Sequence, residues 1–127
     1  MSLTVLIVDD SKLARMSVIR ALRSLCPGWS HLEAANADEA LAQMQKNKVD
    51  LALLDFNMPG RDGLALAAEL RAMDATLPLA VVSANHQEEI VRRATDMGAV
   101  FLEKPITEKL LAGFLSSVAE SPKPAAP

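Results

Sequence analysis

The sequence predicts an α/β domain built on a doubly wound parallel sheet, and three observations predict it. Short runs rich in Val, Leu and Ile alternate five times with longer stretches at helical spacing between the N-terminus and residue 120, the pattern of βα units laid in parallel. Three of the runs are almost continuously apolar, as central parallel strands covered on both faces must be. Half of the residues are hydrophobic but only 3% are aromatic, so the core must be made of Val, Leu, Ile, Ala and Met, which suits helices packed on a sheet.

The expected strands are LTVLIV (3 to 8), HLEAA (31 to 35), VDLALLD (49 to 55), LPLAVVSA (77 to 84) and AVFLE (99 to 103). The second and fifth are shorter or more polar and are expected at the two edges. The first helix is expected from Ser11 to near Leu25, where Pro27 and Gly28 stop it, with Ala14, Val18, Ala21, Leu22 and Leu25 facing inward. Asn36 and Glu39 form a capping-box-like start for the second, whose stripe is Ala37, Ala40, Leu41 and Met44. Gly63 leads into a third helix carrying Leu66, Leu70 and Met73. The fourth, roughly His86 to Met97, is the least apolar, with Ile90, Ala94 and Met97 spaced for burial and Gly98 as its stop. The fifth runs from about Thr107 to Ala119 with Leu111, Phe114, Leu115 and Val118 at i, i+3, i+4 and i+7. Residues 121–127 complete ESPKPAAP, which reads as a disordered tail to a single domain spanning 1–120.

At 127 residues the chain is long enough for one core. Its formal charge of -3 supplies no basic footprint for a phosphate backbone, so direct nucleic-acid binding is not expected. Cys26 is the only cysteine, which excludes an intrachain disulfide and leaves a buried free thiol as the expectation. The opening apolar run is too short for a membrane span or signal core and ends in two acids; a soluble cytoplasmic protein is expected.

Doubly wound sheets place functional groups outside the carboxyl ends of their strands. Five polar residues stand there: Asp9 and Asp10 after the first strand, Asp55 ending the third, Ser83 ending the fourth and Lys104 after the fifth. Taken singly, each has an ordinary use. Asp10 or Asp62 could be a turn former or helix cap, Ser83 a cap, and Lys104 a solvated charge. Their joint recurrence at one sheet edge needs another cause. Three clustered carboxylates repel one another unless a cation joins them, and oxygen ligands without His or Cys favour Mg²⁺, which commonly pairs carboxylates with phosphate oxygens. Asp55, leaving the centre of the sheet behind the apolar run LALL, is the natural nucleophile, because a carboxylate can accept a phosphoryl group. Asp9 and Asp10 would hold the metal, while Lys104 and Ser83 meet the transferred oxygens. His31 and His86 lie in neither acidic motif and receive no role.

With VLIVDDS at Val5 to Ser11, LLDFNMPGRDG around Asp55, VVSA at Val81 to Ala84 and KP at Lys104 to Pro105, the chain resembles the receiver domains of bacterial two-component response regulators from Leu3 to about Ala119. The resemblance implies a flavodoxin-like five-stranded parallel sheet in the order 2-1-3-4-5. It implies phosphorylation of Asp55 by a histidine kinase or histidine phosphotransfer protein, with Mg²⁺ held by Asp10, Asp55 and the Asn57 carbonyl, and by Asp9 through water. It further implies that Lys104 pairs with the phosphoryl group, that Ser83 turns its hydroxyl inward, and that Phe101 is the switch aromatic, here without a tyrosine hydroxyl. Asn57 and Asn85 occupy positions that tune phosphate lifetime in the family. A downstream protein or a second copy would dock on the face of helix 4, strand 5 and helix 5. NMPG, with Pro59 and Gly60, turns the chain beside the metal.

Such a protein is a phosphoacceptor switch that assists its own phosphorylation and dephosphorylation rather than an enzyme. One alternative is a Mg²⁺-dependent phosphohydrolase passing through an aspartyl phosphate, but such enzymes present Asp-x-Asp and a substrate-covering cap, whereas this chain has adjacent acids and no length for a cap. The other is a binding module without phosphorylation, although no expected site residue is missing.

Overall fold

A computed structural model describes residues 3–58, 62–84 and 87–120, with the side chains of 118–120 left out. Five strands form one parallel sheet: β1 (Thr4–Val8), β2 (Ser30–Ala34), β3 (Leu51–Asp55), β4 (Leu79–Ser83) and β5 (Val100–Glu103), in the order β2-β1-β3-β4-β5. The helices between them are α1 (Lys12–Leu25), α2 (Ala37–Lys46), α3 (Gly63–Met73), α4 (Glu88–Asp96) and α5 (Glu108–Glu120). The doubly wound order and both edge strands are as expected.

Strand alternation divides the core in two. Leu6, Val8, Ala52, Leu54, Leu79 and Val81 pack with α2, α3 and α4 on one face. Val5, Ile7, Leu51, Leu53, Ala80 and Val82 pack with α1 and α5 on the other. Every residue of β3 and β4 is buried, because both faces are covered, and so their sequences read as unbroken apolar runs rather than alternating ones.

The helix starts follow local chemistry. Ser11 caps α1, its Oγ accepting from the Ala14 N–H at 3.2 Å. Asn36 Oδ1 accepts from the Glu39 N–H at 2.8 Å and Glu39 Oε1 from the Ala35 N–H at 3.0 Å, a variant of the capping-box pattern read from the sequence in which Glu39 satisfies the residue before the cap. Asp62 caps α3 through the Ala65 N–H at 2.8 Å, so its ordinary reading is the right one. Gly98 closes the turn after α4 at φ +77°, a left-handed conformation that favours glycine.

Some expectations need correction. Met73 is 45% exposed, and Leu64 and Ala67 join Leu66 and Leu70 as the buried part of α3; Met73 is the last helical residue, where the chain turns away at Asp74. On α1 only Leu22 is fully buried, while Val18, Ile19, Ala21 and Leu25 pack partly against the core. Cys26 is a free thiol but half-buried rather than enclosed. Pro59, Gly60, Asn85, His86 and residues 121–127 lie outside the described residues, as does the side chain of Val118.

Candidate functional site

The carboxyl ends of β1, β3 and β5 bring an acid cluster and an ammonium together. Asp55 is the last residue of β3, in register with Val82, and continues the Leu51–Leu53 face toward α1 and α5. It is 4% exposed. Its strand is locked beyond that point too, since the Phe56 N–H donates to the Val82 carbonyl at 2.8 Å and the Gly63 N–H to the Phe56 carbonyl at 2.9 Å. Asp9 follows β1 and is 8% exposed; Asp10, next to it, is exposed. Asp9, Asp10 and Asp55 can each offer an oxygen such that these atoms lie within 4.8 Å of one another.

Lys104 follows β5, and its Nζ stands 2.9 Å from Asp55 Oδ1 and 3.7 Å from Asp9 Oδ2. The contact with Asp55 is a close ion pair made to a buried carboxylate oxygen. Lys104 is aimed by its backbone, whose N–H donates to the Ser83 carbonyl at 2.9 Å; its peptide bond to Pro105 is cis. Burial alone would lower the Lys104 pKa, but the contact with Asp55 and the charges of Asp55 and Asp9 outweigh it and hold the ammonium above the ordinary lysine value. Asp9 is pushed above the usual carboxylate range, first by burial and then by the charges of Asp55 and Asp10, against the opposing Ser11 N–H and Lys104.

Ser83 ends β4 fully buried, paired in register with Glu103. Phe101 lies half-buried on β5 against the α2, α3 and α4 side of the core, and Asn57 is exposed in the segment after β3. Beside the cluster a cavity of about 410 Å³ opens between α1 and the start of α5, walled by Leu53, Val82, Ala14, Val18, Pro105 and Ile106. Apolar walls keep the local dielectric low and strengthen the charge interactions at their edge.

Sequence reasoning missed two cations. Arg15 of α1 donates from Nη1 to the Asp9 carbonyl at 2.6 Å and from Nε to Glu33 Oε1 at 2.9 Å. Arg71 of α3 donates to the carbonyls of Met97, Ala75, Leu77 and Gly98 at 3.0, 3.1, 2.6 and 3.3 Å. No local signal marks either, because a guanidinium whose acceptors come from other elements looks in sequence like any solvated arginine on a helix.

The profile of the response regulator receiver domain matches residues 5–115. The chain belongs to that family. Among curated proteins it is 41% identical over 113 residues to a positive alginate biosynthesis regulatory protein of Pseudomonas aeruginosa, covering 87% of this chain and 44% of the relative. It is 38% identical over 97 residues to a glycerol metabolism activator of Pseudomonas putida, covering 76% and 44%. The chain thus spans less than half the length of these relatives. Among solved structures it superposes on the chemotaxis protein CheY4 of Vibrio cholerae with a TM-score of 0.84 at 29% identity, covering 93% of this chain and 99% of that one. It superposes likewise on CheY of Borrelia burgdorferi, solved in a complex with CheX, BeF3 and Mg²⁺, with a TM-score of 0.84 at 26% identity, covering 92% and 89%. The signalling role of receiver domains is therefore this chain's family role. No described helix is long and apolar enough to cross a membrane.

Proposed function

We propose that this receiver accepts a phosphoryl group on Asp55 from a phosphohistidine of a kinase or phosphotransfer protein. The phosphorus–nitrogen bond to the imidazole breaks as a phosphorus–oxygen bond to the Asp55 carboxylate forms, and the imidazole leaves with the electron pair. The observation that carries the reading is the Lys104 ammonium 2.9 Å from the buried Asp55 carboxylate, with two more acids within metal-binding reach.

The donor set fits a hard divalent cation such as Mg²⁺. It offers oxygen atoms alone, with no imidazole or thiolate among them. Asp9, Asp10, Asp55 and the Asn57 carbonyl would hold it. Bound there, it would offset the charge of the acids and of the incoming phosphoryl oxygens. Lys104 supplies the remaining positive charge from the chain itself. Asp55 needs no general base, since an ionised carboxylate already carries its attacking lone pair.

Phosphorylation adds roughly -1.5 to -2 charge, placed against Lys104 and one strand from Ser83. Ser83, Phe101 and Lys104 all belong to the β4-to-α5 half of the sheet, where a new contact to the phosphoryl oxygens would bias packing. The face beyond it suits a protein partner or a second copy. Val100 on β5 is 38% exposed and Leu110 on α5 is 39% exposed, and α4 buries only Ile90 and Ala94. Incubation with acetyl phosphate and Mg²⁺ should add one phosphate by intact-protein mass spectrometry, and Asp55→Asn should add none. Equal labelling of the variant would overturn the assignment.

A further inference from the structure

Arg15 lies on the first turn of α1, yet its side chain is only 13% exposed. An arginine there could extend into water. Instead it is turned back over the end of β1, with Nη1 on the Asp9 carbonyl and Nε on Glu33 of the edge strand. Glu33 pairs in register with Ile7 and so stands on the face that α1 covers. Its own carbonyl accepts from Gln43 of α2 at 3.3 Å. The guanidinium therefore joins α1, β2 and the acid loop, and it gives none of its described bonds to the carboxylates of the cluster.

We infer that Arg15, oriented by Glu33, is a positioning residue for the acid pair and sets how tightly Asp9 and Asp10 hold a divalent cation. The inference rests on the metal reading above. Asp9 is anchored three ways: its N–H donates to the Ala34 carbonyl at 3.1 Å, its Oδ1 accepts from the Ser11 N–H at 2.9 Å, and its carbonyl accepts from Arg15 at 2.6 Å. The last anchor matters most for the pair, because that carbonyl belongs to the peptide plane joining Asp9 to Asp10. Holding the oxygen holds the plane from which both carboxylates project. Groups that orient metal ligands from behind typically change metal affinity about 10- to 100-fold when lost.

Charge and positioning predict opposite signs, which makes the inference decisive to test. Removing a cation from beside an acid cluster should tighten binding of another cation; losing the anchor should weaken it. The experiment titrates the full chain with Mn²⁺ and reads free Mn²⁺ by electron paramagnetic resonance, at a temperature well below each variant's metal-free melting midpoint. Arg15→Ala is expected to bind Mn²⁺ about tenfold more weakly, within the range for such groups. Arg15→Lys, which keeps the charge but not the fork, should also bind more weakly than the parent, and so should Glu33→Gln. A folded Arg15→Ala that binds as tightly as the parent, or more tightly, overturns the inference. Should Arg15→Ala fail to fold, unchanged affinity in both Arg15→Lys and Glu33→Gln overturns it instead. A parent protein that binds no Mn²⁺ would overturn the metal reading itself, which is a separate and visible result.

Discussion

Gly63 begins α3 directly against the end of β3, and Gly63→Ala should damage both the fold and the acceptor. A Cβ at this position would lie 2.5 Å from the Asp55 carbonyl oxygen and 2.8 Å from the Phe56 Cα. Reaching an ordinary contact of about 3.5 Å requires a shift of roughly an ångström, and the obstacles are main-chain atoms of β3 rather than the end of a flexible side chain. Overpacking of this kind costs about 1–3 kcal/mol, and a backbone obstacle argues for the upper part of that range. Alanine is up to about 1 kcal/mol better than glycine in a helix, and Gly63 has no left-handed backbone to lose. The clash still wins, leaving a net loss of about 2 kcal/mol. With a urea slope of about 1–3 kcal/mol/M, the unfolding midpoint should fall by about 1 M. Because the displaced atoms carry Asp55, labelling by acetyl phosphate should slow as well, by tenfold or more, since misplacement by about 1 Å can cost about 100-fold. An alanine variant as stable as the parent, labelled at the parent's rate, would show that α3 and β3 separate freely and would refute the argument.

Two further outcomes follow from charged groups away from the site. Arg71→Ala should cost about 2–3 kcal/mol in urea unfolding, because it strips a charge-assisted donor from four carbonyls, some of which water can resolvate. Arg71→Lys should recover less than half of that, lacking the planar fork, and full recovery would contradict the geometry. His31 is held below the ordinary histidine value of 6.5, first by burial and then by Arg23, with Glu33 pulling the other way. In the window between 6.5 and its lower folded value the unfolded chain binds more protons, so stability falls as pH drops through that window. Its Nε2 is buried without a partner among the described residues. His31→Leu should flatten this acid-side slope in denaturation curves, and an unchanged slope would locate it elsewhere.

The parts legible in the sequence were those set by local patterns. β3 and β4 were readable because double coverage writes continuous apolar runs, and α2 because Asn36 caps the Glu39 N–H while Glu39 reaches back to the Ala35 N–H, all within four residues. Asp9, Asp10, Asp55 and Lys104 were readable as a group because a parallel sheet delivers every strand's carboxyl end to one edge. What was illegible depended on approach between distant segments. Gly63 was visible as a helix entry, but the 2.5 Å reason for a missing side chain exists only once α3 is laid against β3. Arg15 and Arg71 gave no warning, since the main-chain carbonyls they bind have positions no residue type encodes, and Glu33, the one carboxylate Arg15 meets, lies on another element. Met73 matched the inward period of α3, yet a period says nothing of where the helix ends relative to the core.

The depth of Asp55 bears on how the proposed transfer can occur. At 4% exposure it cannot reach outward for a phosphoryl group, so the donor must present one on a narrow stem, as an imidazole ring or a small acyl phosphate does. Charge works in the same direction. Three carboxylates face one ammonium, and an anionic donor meets net repulsion before any bond is made. Lys104 can offset only one of those charges, whatever its geometry. A cation held by Asp9, Asp10 and Asp55 would offset that repulsion, and a partner that buries the mouth of the site would lower the dielectric and strengthen the effect. On the proposed function, the recessed, acid-rich position at the end of β3 predicts slower labelling by a free small donor than transfer within a docked complex, and equal rates would count against this account.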